Sequence, residues 1–117
     1  AAERERSINS MINTVSERPG PLQDGLASNP DTAANAFSEL IVTDLRSELP
    51  SIKAPTTVLY VTPAGAPFSD AQMDQYYTLA YAPIGGATLK RVPNAAHFIM
   101  LDAPDAFADE VKAFLER

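Results

Sequence analysis

The chain has no cysteine, no tryptophan and a single histidine among its 117 residues. Without cysteine, disulfides, thiolate zinc sites and cysteine nucleophiles all drop out, and the redox compartment is left open. One histidine without a thiolate argues against a transition-metal centre. The carboxylates do not fall at the spacing of a calcium or magnesium loop, so neither a metal nor a cofactor is expected. Basic residues are also scarce, nine against fifteen acidic, for a net charge of −6. Arg4, Arg6, Lys53, Lys90 and Arg91 are scattered rather than clustered. Displacing phosphate counterions requires a basic cluster, so a nucleic-acid partner is not expected. No apolar run approaches the roughly eighteen residues a membrane span needs, and no signal-peptide pattern opens the sequence.

What is present is the balance of a soluble globular protein of one domain's length, 45% apolar and 21% charged. The two halves differ in character. Over residues 1–52 the pattern is helical. Ile8, Met11, Ile12 and Val15 predict an amphipathic helix through about residue 15, which Arg18-Pro19-Gly20-Pro21 stops. Asn29-Pro30 predicts a second helix start, because proline at the first helical position lacks an N–H that would have no partner anyway. Phe37, Leu40, Ile41 and Leu45 then form one apolar stripe running to about Glu48.

From Ile52 the period changes. Thr56–Val61 (TTVLYV) is a β-branched, nearly continuous apolar run between Pro55 and Pro63, the signature of a strand buried on both faces of a parallel sheet. Ser69-Asp70-Ala71-Gln72 has the form of a capping box, with Met73, Tyr76, Tyr77 and Ala80 following at helical spacing. Pro83 and Gly85-Gly86 close that helix, and Ala87–Val92 reads as a second, less apolar strand. Pro104 opens a last helix carrying Phe107, Val111, Phe114 and Leu115 on one face. Asp102, just ahead of Pro104, is expected to cap it. The fold class is thus α/β, with a crossover between the strands long enough to make them parallel. Two parallel strands do not make a stable sheet alone. The chain is therefore expected to be part of something larger, or to complete its sheet in a homo-oligomer, a dimer for instance, or another multi-chain assembly.

The ordered set Ile52-Lys53-Ala54-Pro55, strand, Pro/Gly loop, helix, strand, then Pro93-Asn94-Ala95-Ala96-His97-Phe98-Ile99-Met100-Leu101-Asp102-Ala103-Pro104-Asp105-Ala106-Phe107 resembles the C-terminal third of the α/β-hydrolases. The resemblance implies that residues 53–117 are the C-terminal strand–helix–strand–helix part of that parallel sheet. Residues 1–52 then correspond to the tail of a helical lid. It also implies a serine-type hydrolase of esters or related acyl bonds, in which His97 is the general base. The nucleophile elbow G-x-S-x-G is absent, so the serine is expected on an N-terminal part of the same protein, and the chain alone is expected to be inactive.

The acid is open on three counts. Asp70 is the carboxylate in reach after the first strand, but a helix N-terminal acid that complements the macrodipole is an equally ordinary reading of it. An acid from an earlier strand, or none at all, are the other two. A non-catalytic binding or assembly module that kept the fold without the acid is the alternative function.

Overall fold

A computed structural model describes residues 2–117. The β-branched run forms strand β1 (Thr57–Tyr60), and the less apolar segment expected over Ala87–Val92 forms β2 (Thr88–Arg91). They pair in parallel, with Thr57 opposite Thr88 and Tyr60 opposite Arg91. Among the described residues the sheet has these two strands. Between them runs helix α4 (Asp70–Tyr81), started as expected by a reciprocal capping box: Gln72 N–H donates to Ser69 Oγ, and Ser69 N–H donates to the Gln72 side chain.

Alternation along the strands places helices on both faces of the sheet. On one face the Tyr60 ring stacks on Tyr77 of α4 at 4.2 Å. The Tyr60 hydroxyl donates to Asp74 Oδ1 at 2.8 Å, and Arg91 reaches the same carboxylate at 2.8 Å. On the other face Lys90 pairs with Glu110 of helix α6 (Pro104–Leu115), and Leu59, Val61 and Phe107 pack against a buried cluster of Val92, Ala95 and Ile99. That cluster is the core, and it sits under the segment that leaves β2. A four-residue helix, α5 (Ile99–Asp102), joins this segment to α6. Neither strand is buried on both faces as a central strand would be: Thr57–Leu59 and all of β2 remain half-buried.

The N-terminal half departs from expectation in three places. Helix α1 (Ala2–Ser10) ends at Ser10, well short of Val15. The N–H groups of Asn13 and Thr14, which a continued helix would have aimed at carbonyls four residues back, donate instead to Asp102 across the molecule. Pro19 does not stop a helix but starts one, α2 (Pro19–Ala27), because a first turn has no use for its missing N–H. Helix α3 (Pro30–Val42) begins where expected, with Asn29 Oδ1 accepting from Asp31 and Thr32 N–H. It ends at Val42 rather than near Glu48. The β-branched Ile41-Val42-Thr43 run is a poor helix former. Asp44 then turns the chain by accepting the Arg46 N–H, its carboxyl held down at about 2 by the Arg46 guanidinium.

The predicted stripe on α3 does not enter a core: Phe37, Leu40 and Ile41 are 61%, 71% and 69% exposed. The outer end of the α6 face is likewise open, with Leu115 exposed. No helix of the described residues is long and apolar enough to cross a membrane.

Candidate active site

The loop carrying His97 is built from short-range geometry. Val92 N–H donates to Tyr60 O at 2.8 Å and extends the ladder one step past β2, after which Pro93 cannot donate. Asn94 turns the chain with φ of 60°, a left-handed conformation that asparagine tolerates better than most residues. Ala95 and Ala96 follow, both buried, and their small side chains let the backbone lie close against the core. His97 comes next and is exposed. Its ring stands edge-to-face to Phe98 at 5.7 Å, and Ile99 then returns to the core as α5 begins.

His97 lines an open, largely apolar hollow of about 500 Å³ with Pro55, Thr56 and Thr57 at the amino-terminal start of β1 and with Leu59, Met100, Phe107 and Val111, so this hollow is not the one beyond the carboxyl ends of the strands. Glu110 also lines it, but that carboxylate is engaged by Lys90. Among the described residues the imidazole makes no hydrogen bond or ion pair. The ring is therefore free to meet an incoming group, and what would orient it must come from elsewhere.

Asp70 is not that group here. The capping box fixes it in the first turn of α4, where Arg91 Nη1 holds its carboxylate at 2.8 Å. It lines a different hollow, at the carboxyl ends of the two strands, with Thr62, Gly65, Arg91 and Asn94. The structure does not bring Asp70 and His97 together. The loop between β1 and α4, residues 62–68, makes a tight turn: Ala66 N–H donates to Pro63 O, and Gly65 takes a φ of 74° that a residue with a side chain rarely adopts.

The residue that sequence reasoning misjudged is Asp102. It does not cap α6, whose N-cap position is Ala103 with no side-chain cap. Its Oδ2 accepts from the N–H groups of Ala96 (2.8 Å) and Asn13 (3.0 Å), and its Oδ1 accepts from Thr14 N–H at 2.7 Å. Desolvation pushes this carboxyl's pKa up, but the donors of Asn13, Ala96 and Thr14 outweigh it and hold the group below its ordinary range. A carboxylate whose folded pKa is depressed contributes stability that is present above its unfolded pKa, about 3.9, and is lost as pH falls through the folded value. The Asp102→Asn variant is thus expected to be less stable than the parent at neutral pH, with a shallower loss on acidification below about pH 4. Urea unfolding midpoints measured across that range check this; parallel acid profiles for the two proteins would count against it. Asp74, lowered chiefly by its hydrogen bond from Arg91, supplies part of the acid loss that remains in both.

No family model matches this chain, and comparison with curated proteins and with solved structures gives no significant match either.

Proposed function

We propose that this chain is the C-terminal part of a serine-type α/β-hydrolase, supplying His97 as general base to a serine carried on an N-terminal part of the same protein. One observation carries the reading. An exposed imidazole sits on the loop leaving the second of two parallel strands, which a helical crossover joins and which have a helix on each face. In open α/β sheets the reacting groups gather beyond the carboxyl ends of the strands, where the His97 loop begins, although the hollow that the ring itself lines runs back along α6 to Pro55–Thr57 at the start of β1; an exposed imidazole on that loop can take a hydroxyl proton and return it to a leaving group. The two-stranded sheet supports the reading from a second side, since strands this few need neighbours, and such neighbours would carry the elbow. The acid is not Asp70 on this reading; it comes from a strand outside these residues. Substrates are esters or related acyl bonds.

Fluorophosphonate labelling of the protein isolated from its source, followed by peptide mapping, tests the proposal. An adduct on a serine in a G-x-S-x-G segment, continuous with this chain or bound to it, is the expected result. An unlabelled protein that nevertheless contains the chain in folded form would leave the alternative, a non-catalytic assembly module. The absence of a carboxylate on the His97 ring among the described residues is the observation that favours that alternative.

A further inference from the structure

The backbone on both sides of His97 is tied to the beginning of the chain. Ahead of it, Ala96 N–H donates to Asp102 Oδ2 at 2.8 Å, and the same carboxylate takes the N–H groups of Asn13 and Thr14. Behind it, Phe98 N–H donates to Met11 O at 3.0 Å. A third tie runs from Asn13 Nδ2 to Asn94 O at 3.2 Å. Residues 11–14 therefore form a strap over the histidine loop. The strap is itself anchored: Ile12 is fully buried, and Arg18 Nε donates to Ile12 O at 3.0 Å.

We infer that Asp102 is a positioning residue for His97, clasping the 11–14 strap to the loop so that placement of the imidazole depends on the strap being seated. Two donors share Oδ2 and the third takes Oδ1, so both carboxylate oxygens are in use. An asparagine there has one acceptor and must turn an amide N–H₂ toward a backbone N–H. That mismatch opens the clasp without changing the side chain's volume. Only the consequence of that placement for catalysis rests on the hydrolase reading. The test below reads ring placement rather than turnover, so the clasp and the hydrolase assignment can fail independently.

Because His97 is the sole histidine in the chain, its ring gives a single, unambiguous set of imidazole signals in NMR spectra of the full chain. In Asp102→Asn, those signals are expected to shift and broaden. Exchange of the Phe98 amide, whose N–H donates to Met11 O and not to the Asp102 carboxylate, is expected to quicken on the order of tenfold. The Thr88 amide, which donates to Thr56 O where the two strands pair, should keep its protection and serves as the control for an intact fold. Unchanged His97 and Phe98 signals with Thr88 protected would overturn the inference. Should Asp102→Asn lose Thr88 protection as well, Thr14→Pro decides. That change deletes one donor of the clasp from the strap side, at a residue whose φ of −74° already suits proline. Displaced His97 ring signals in Thr14→Pro support the clasp, and ring signals identical to the parent's refute it.

Discussion

On the proposed hydrolase reading, His97→Ala in a protein that joins this chain to a nucleophile elbow is expected to lower turnover of an activated ester by about 10⁴–10⁶-fold while leaving the circular dichroism spectrum and the thermal midpoint close to the parent's. The size follows from the role. Without a base, the serine hydroxyl must give up its proton to water in a site arranged around an imidazole, and only binding and oxyanion stabilisation remain. The fold should survive because the ring is exposed and makes no hydrogen bond or ion pair among the described residues. Steady-state rates with a p-nitrophenyl ester measure the effect directly, and retained turnover in a folded variant would falsify the assignment of His97 as base.

The largest expected loss of stability lies at the other end of the chain. Among the described residues Ile12 is the one large side chain with no exposed surface, and it sits in an irregular segment rather than on a helix. Truncating a buried isoleucine to alanine removes apolar contact and leaves a void that a strap fixed at both ends cannot close, a cost of about 2–5 kcal/mol. The comparison is Leu40→Ala on α3, where the side chain is 71% exposed and the change should fall within about 0.5 kcal/mol. Urea denaturation of both variants distinguishes the sites. Similar small losses at Ile12 and Leu40 would mean that residues 11–14 are not seated as described.

These two residues mark how far the sequence could be read. Features with local causes were legible. The β-branched run gave β1, Ser69 and Gln72 gave the start of α4, Asn29-Pro30 gave the start of α3, and the crossover gave parallel pairing. The position of His97 on a loop after the second strand was legible for the same reason, since Pro93 and Asn94 stop the ladder where it stands. Features with distant causes were not. Helical spacing carried α1 on toward Val15, because nothing near Asn13 and Thr14 announces that their N–H groups are taken by a carboxylate 88 or more residues away. Asp102 read as a cap because a cap needs only its neighbours, whereas its actual partners need the finished fold. Asp70 stands in the first turn of α4, one of the two readings its position offered, but its tie to Arg91 was not legible, because it depends on the β1–β2 register that puts Tyr60 and Arg91 side by side beneath α4. The apolar period of α3 was real, yet periodicity says that a face is apolar and not that anything in this chain covers it.

The clasp at Asp102 also changes how the chain divides. A boundary at residue 52 separates a helical half from a strand-bearing half by composition, but the opening strap is bonded to the closing turn. Residues 11–18 and 57–115 are thus tied together by hydrogen bonds, strand pairing and core packing, and the stretch from α2 to the start of β1 is an excursion that leaves this unit and comes back. The entropy of closing such an excursion grows only with the logarithm of its length, so even doubling it costs about 0.6 kcal/mol. Insertions or deletions between Ala27 and Thr56 should therefore be absorbed with little strain on the histidine loop, whereas shifting the strap by a single residue would pull the Asn13 and Thr14 donors out of register with Asp102.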